Sequence, residues 1–353
     1  MTRRTILPIA ALLLIGGLAL FQYSRRLQEY RSDQFLMDTL ISITVYGKNQ
    51  ELLRKAVAAA YAEMRRIAEL ADGFPQPGTA AWRNSDICRI NDQAGKAPVH
   101  VDNDTVAMLL LAQKYTRLSN GAFDVTVGPL MELWGFGGKN PHLPSPEQIS
   151  EALKLVSSED VIVNEQDRTV FLRRTGMKLD LGAVAKGYAT EKAARILVQH
   201  GIDKALIDAG GNIRVIGRNS RNSPWQIGIK DPRKSDAIVA ILPLVDTSAV
   251  TSADYYRAFE EQGKRYHHIL NPRTGYPATH TISTTVITKD AGLADILSTV
   301  FFVLPADKSL ELAATIPGVE LFLVTADRLI RHSATLPGTI EVLKGETYRY
   351  DQR

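Results

Sequence analysis

The 353-residue chain is long enough for about two domains or one large one, and at 45% apolar and 23% charged residues it excludes a disordered or fibrous protein. A single cysteine, Cys88, excludes an intramolecular disulfide and any multi-cysteine zinc or iron–sulfur site. The net charge of +4 excludes little until it is located: five arginines against two acids in the first 34 residues account for most of it, so the body has no basic surplus for nucleic acid.

In chain order, Arg3 and Arg4 precede an uncharged stretch from Thr5 to Ser24 whose centre, Ile6 to Phe21, is almost wholly apolar. A charged start followed by an apolar run is an export pattern, and no small-x-small cleavage site follows it. Residues 1–24 therefore read as an uncleaved signal anchor, preferred over a removed signal peptide and over a buried core helix, with the body exported. Residues 25–34 read as a polar linker, 35–345 as the body in one or two lobes, and 346–353 as a tail. Thr39 to Gly47 alternates as a strand, Glu51 to Leu70 has helical spacing, and Asp72 to Ala80 is a Gly/Pro loop. Helices are predicted over Asp104–Leu118 and Ser145–Leu155. Strands are predicted over Val161–Val163, Thr169–Leu172 and Met177–Leu181, and a helix over Ala183–Gln199. Further strands are predicted at Ala205–Ile207, Ile213–Ile216, Gln226–Ile229, Ile238–Leu242, Ser248–Thr251 and Ile282–Thr288, before a helix over Ala291–Phe302. Strands outnumber helices and few units repeat strand–helix–strand, so the fold class is α+β, with mixed sheets and packed helices.

The chain has no P-loop, no G-x-S-x-G elbow, no HExxH and no strand-linked GxGxxG. Four segments look chemical instead. In Lys178–Ala189 an acid, Asp180, ends a predicted strand, Gly182 turns the chain, and a helix starts whose N–H groups suit an anion. Lys186 in its first turn is misplaced for the helix dipole. It is either a diphosphate ligand or a plain surface lysine behind an Asp cap. In Tyr266–Pro277, His267 and His268 set a proton carrier beside Arg273 and Thr274. In Ala294–Thr299, Asp295 and Thr299 lie at i and i+4 on one helix face among apolar neighbours. Carboxylate, hydroxyl and a carbonyl make an oxygen set for magnesium rather than zinc; the alternative is a salt-bridged Asp295 and a Thr299 bonded to its own helix. In Asn120–Leu130, Phe123 beside Asp124 suits a nucleotide base, or is only a turn and a strand.

Together these segments resemble the ApbE family, the FAD:protein FMN transferases. The matching blocks are Met37-Asp38-Thr39, Ser85 to Asn91, Gly121 to Pro129, Leu179 to Ala189, Ile207 to Gly211, Gly228 to Pro232, Thr251 to Tyr255, His267 to Pro277 and Ala294 to Thr299. The resemblance implies magnesium-dependent transfer of the FMN half of FAD to a threonine or serine of an acceptor protein through a phosphoester, with release of AMP. It implies metal ligation by Asp295, Thr299 and the carbonyl of Ala183. It implies FAD contacts from Met37, Ala122, Phe123, Asp124, Asp180, Lys186 and Ile269, and His268 as the base, with His267 as the alternative. The acceptors it implies are flavoprotein subunits of membrane electron-transport complexes. Ser252 and Asp254 line a neighbouring block, where Ala253 replaces the family's frequent glycine. Ala81 stands where the family often carries a tyrosine or asparagine, leaving Trp82 to stack on the adenine. That region bears on the rival outcome, hydrolysis of FAD to FMN and AMP. A flavin-binding protein without turnover is a third reading, which needs none of His268, Asp295 and Thr299.

Overall fold

A computed structural model describes residues 27–136, 138, 140–234, 236–336, 341–342 and 348–351. The proposed anchor over residues 1–24 lies outside them, and among the described residues no helix is long and apolar enough to cross a membrane. The frame is a sheet of nine strands. In chain order these are β1 (Gln28–Leu36), β2 (Thr39–Gly47), β6 (Ala205–Ala209), β7 (Asn212–Ile216), β10 (Ser248–Ala253), β13 (Thr281–Thr288), β14 (Glu320–Thr325), β15 (Leu329–His332) and β17 (Arg349–Tyr350), and they are hydrogen-bonded in that same order. Neighbours run antiparallel except β15 and β17. Two predictions are corrected here. Residues 28–34, expected to be linker, form most of β1, and the expected tail supplies β17.

Both faces of the sheet are covered, and side-chain alternation divides them. On one face lie the helices Gln50–Ala71, Ala185–Gln199 and Ala291–Val303, with Ile41, Ile43, Val250 and Val286 of the strands beneath. The other face packs Ala249, Ile282, Ile287, Phe322 and Val324 against Ile227, Ile229, Ala240 and Leu242. Those partners belong to β8 (Trp225–Lys230) and β9 (Ile238–Leu244), which pair with β16 (Glu341–Val342) in a separate three-stranded sheet. Every residue of β13 is buried because it runs through the middle of both cores.

The remaining elements gather at one flank. β3 (Val99–His100), β4 (Val161–Asn164) and β5 (Thr169–Leu172) form a small sheet beside the helix Asn103–Leu118. A hairpin of β11 (Ala258–Glu261) and β12 (Lys264–His267) buries Phe259 and Tyr266 against Trp134, whose indole N–H donates to the Gly275 carbonyl at 2.8 Å. The helix at 145–155 is Pro146–Leu153, started by a capping box between Ser145 and Gln148. Met177–Leu181 is not a strand. Its backbone is held by other groups: Leu179 N–H donates to the Asn91 side chain (2.7 Å), the Asn91 amide returns a bond to the Leu179 carbonyl (3.1 Å), and Asp180 N–H donates to the Val125 carbonyl (2.8 Å).

Candidate active site

The helix Ala185–Gln199 begins two residues later than the sequence pattern predicts and has no side-chain cap from its own chain neighbours. Its first-turn donors are nonetheless mostly taken. Ala185 N–H donates to the Leu181 carbonyl (2.9 Å), and Gly187 N–H donates to Oδ2 of Asp295 (2.7 Å). The expected anion at this helix start is thus, in part, a carboxylate of the protein itself. Asp295 reaches it because the helices Ala185–Gln199 and Ala291–Val303 touch at Gly187. A Cβ added there would stand 2.3 Å from the Ala291 carbonyl oxygen and 2.4 Å from the Asp295 Cβ, contacts no side chain tolerates. We therefore expect Gly187→Ala to lower stability by about 1–3 kcal/mol through overpacking. It should also lower activity by displacing Asp295; urea unfolding and turnover measured on one preparation check both.

Asp295 is 5% exposed, and among the described residues no lysine, arginine or histidine lies within ion-pairing distance of it. Burial pushes its carboxyl pKa up, opposed by the positive charge of Lys186 and the Gly187 hydrogen bond. Four residues on, Thr299 Oγ1 is 3.5 Å from Ser252 Oγ, which is itself 2.8 Å from Ser298 Oγ. The salt-bridged alternative for Asp295 is therefore not what the fold builds. A buried carboxylate held by one backbone N–H and lacking a counter-cation carries an uncompensated charge that a bound cation would neutralise. Among the described residues no three His, Cys, Asp or Glu side chains cluster as a metal cage. That donor set suits magnesium, which keeps waters and takes phosphate oxygens from its substrate, and not zinc.

The two histidines have different surroundings. His267 is buried, its ring edge-on to Phe302 at 5.4 Å. Its Nε2 is 2.9 Å from the Ala278 carbonyl and its Nδ1 accepts from Ile269 N–H at 3.3 Å, so both nitrogens are engaged. His268 Nδ1 is 3.2 Å from the Tyr256 carbonyl. A carbonyl only accepts, so Nδ1 carries the proton and Nε2 of the neutral ring is left as an acceptor. Burial, then the charge of Arg257, lowers the His268 pKa to about 3.

The other candidates surround these groups. Asp180 Oδ1 accepts from Gly182 N–H at 2.7 Å, turning the chain toward the helix; burial raises its pKa, opposed first by that hydrogen bond and then by the charge of Arg257. Ala183 lies partly buried in that turn. Lys186 makes no ion pair within 4 Å among the described residues, yet its charge acts on both Asp295 and His268, tying the two halves of the site. Ala122 and Ile269 pack in one small apolar cluster with Phe302. Phe123 is in the main core, and Asp124 is spent on its own loops, accepting from Thr126 N–H (2.8 Å), Thr126 Oγ1–H (2.7 Å) and Ser158 N–H (3.0 Å). Met37 occupies the β1–β2 turn at φ 53°, partly buried against the main core. Trp82 is half-buried on the short helix Ala80–Asn84, and no hydrogen bond or ring contact ties it to the other candidates among the described residues. Asp254 forms a two-pronged ion pair with Arg233 (2.7 and 2.6 Å), which makes it a structural acid. Sequence reasoning passed over three contributors: Asn91, which holds the backbone before Asp180, and Tyr256 and Arg257, which flank His268. For Asn91 a signal existed, since it ends a matched block.

The candidate residues thus comprise a neutral histidine, a lysine and a lone buried carboxylate at a helix junction on an α+β frame, the groups of an acid–base enzyme site. The chain belongs to the ApbE family, whose profile matches residues 37–323. It is 34% identical over 310 residues to the FAD:protein FMN transferase of Treponema pallidum, covering 84% of each chain. It is likewise 34% identical over 281 residues to the one of Klebsiella pneumoniae, covering 79% of this chain and 84% of the relative. The crystal structure of the ApbE protein of Thermotoga maritima superposes with a TM-score of 0.79 at 36% identity, over 87% of this chain and 98% of that one. The flavin transferase ApbE of Vibrio cholerae, at 24% identity and a TM-score of 0.76, shares the fold.

Proposed function

We propose that this protein is an FAD:protein FMN transferase that esterifies a threonine or serine hydroxyl of an acceptor protein with FMN and releases AMP. The observation that carries the reading is the His268 tautomer, fixed by the Tyr256 carbonyl, which leaves Nε2 as a proton acceptor within the field of Lys186. The acceptor hydroxyl attacks the phosphorus on the flavin side of the diphosphate and its proton goes to His268 Nε2. The bond from that phosphorus to the bridging oxygen breaks, and AMP leaves with that oxygen. Phosphoryl transfer of this kind needs alignment and charge neutralisation more than a protein nucleophile. Lys186 supplies one positive charge to the diphosphate. Asp295, the Thr299 hydroxyl and the Ala183 carbonyl would hold magnesium, which when bound neutralises phosphate charge. Met37, Trp82, the 122–124 segment, Asp180 and Ile269 supply the walls for the rest of FAD. At 122–124 the backbone is the natural contact, because the Phe123 and Asp124 side chains are already engaged.

The acceptors in this reading are flavoprotein subunits of membrane electron-transport complexes. The body works on the periplasmic side of a bacterial inner membrane, anchored by residues 1–24, as the Arg3-Arg4 start and apolar run support. The test is to incubate the protein with FAD, magnesium and such a subunit made without covalent flavin. Flavin fluorescence on the acceptor band of a denaturing gel is expected; AMP and FMN with an unlabelled acceptor would favour FAD hydrolysis, and intact FAD a binding protein.

A further inference from the structure

The antiparallel register of β11 and β12 ends by pairing Ala258 with His267, and just beyond it the Tyr256 carbonyl meets His268 Nδ1 at 3.2 Å, so Arg257 lies on the segment that joins that contact to the hairpin. Arg257 has φ 37°, a strained conformation for a long side chain, of the kind that collects at functional sites. Its Nη2 is 2.8 Å from Oδ2 of Asp38, 219 residues away in the β1–β2 turn. That turn is itself built from two non-glycine residues at positive φ, Met37 and Asp38. The Arg257 and Asp38 side chains are 46% and 76% exposed, so the ion pair is a surface pair of small worth and is readily exchanged. The charged and titratable groups acting on His268 are Arg257, Lys186 and His267, and Arg257 acts on Asp180 as well. The charges of two cations thus act on the imidazole, and only one of them, Lys186, has a place in the reaction as drawn above.

We propose that Arg257 is a phosphate-binding residue of this site, which exchanges Asp38 for the diphosphate of FAD. An arginine fork takes two phosphate oxygens at once, which a carboxylate partner in solvent cannot outbid once the phosphate is held in the site. The inference rests on the flavin-transfer reading of the same site, and binding assays keep the two separable. The experiment measures FAD and riboflavin affinity of the full-length protein by flavin fluorescence, with Arg257→Ala, Arg257→Lys and Asp38→Asn, each checked for folding by thermal unfolding. Arg257→Ala is expected to weaken FAD binding on the order of 10- to 100-fold, the range for a charge-assisted hydrogen bond, and to leave riboflavin, which has no phosphate, unchanged. Arg257→Lys should recover part of the loss. Asp38→Asn breaks the same ion pair but keeps the guanidinium, so FAD affinity should hold or rise. Equal loss of FAD affinity in Arg257→Ala and Asp38→Asn would reduce the pair to a structural clasp and overturn the proposal. So would an equal loss of riboflavin and FAD in Arg257→Ala. Absence of acceptor labelling by the wild type would count against the transfer reading and leave these binding comparisons as they stand.

Discussion

Asp295→Asn is expected to abolish magnesium-dependent turnover while leaving the fold as stable as before or more so. The two effects have one cause. Asp295 is 5% exposed and without an ion-pair partner among the described residues, so the folded state carries the cost of a buried charge. An asparagine oxygen still accepts the Gly187 N–H, now at 2.7 Å from Asp295 Oδ2, and the close helix contact survives the change. The charge alone is lost, and with it the carboxylate arm of the proposed cation site. Stabilisation of transferring phosphate charge by a metal is worth several kcal/mol, so the rate should fall on the order of 10³-fold. Turnover against magnesium concentration and a thermal melt measure the two effects. A variant within tenfold of wild type and still magnesium-dependent would remove Asp295 from the metal site.

His268→Gln is expected to cut FMN transfer by about 10²- to 10⁴-fold, the span of a general base, with FAD affinity largely kept. His267 is not expected to substitute, because Ala278 and Ile269 occupy its two nitrogens. The depressed pKa adds a pH dependence with a definite sign. Unfolded, His268 takes up a proton near its ordinary value of 6.5; folded, it does so only near 3. Between those values the unfolded state binds more protons, so the contribution of His268 to stability is fully present above about pH 6.5 and is lost as pH falls toward 3. His268→Gln should therefore flatten the fall in stability over that interval in urea titrations. For the same reason the base of the free enzyme is already unprotonated across neutral pH, and wild-type kcat/KM, which reports the free enzyme, should show no His268 limb near pH 6.5. A limb there that vanishes in the variant would contradict the neutral imidazole.

How much of this was legible in the sequence depended on whether a segment declares itself by local pattern. Thr39–Gly47 did, because one face of β2 is core and the other is not. Gln28–Leu36 did not: it is an edge strand with polar residues along its length, and only its complete pairing to β2 reveals it. The β11–β12 hairpin was hidden by Glu260, Glu261, Lys264 and Arg265, although its Gln262-Gly263 turn, with both residues at positive φ, is the kind of local signal that marks hairpins. Met177–Leu181 failed the other way, since its apolar alternation is real but its backbone bonds go to Asn91 and Val125. In the site, the i, i+4 spacing of Asp295 and Thr299 was readable because a helix is a local ruler. The His267–His268 choice turned on which carbonyls the fold brings to each ring, and Arg257 became visible only when Asp38 arrived from the far end of the chain.

Transfer to protein and hydrolysis to water differ in stoichiometry. With FAD and magnesium in excess, AMP released and flavin covalently bound to the acceptor are counted in the same reaction, with and without the acceptor protein. One AMP per flavin attached to a threonine or serine is expected, and little AMP when the acceptor is omitted. AMP and free FMN produced at the same rate whether or not the acceptor is present would contradict it.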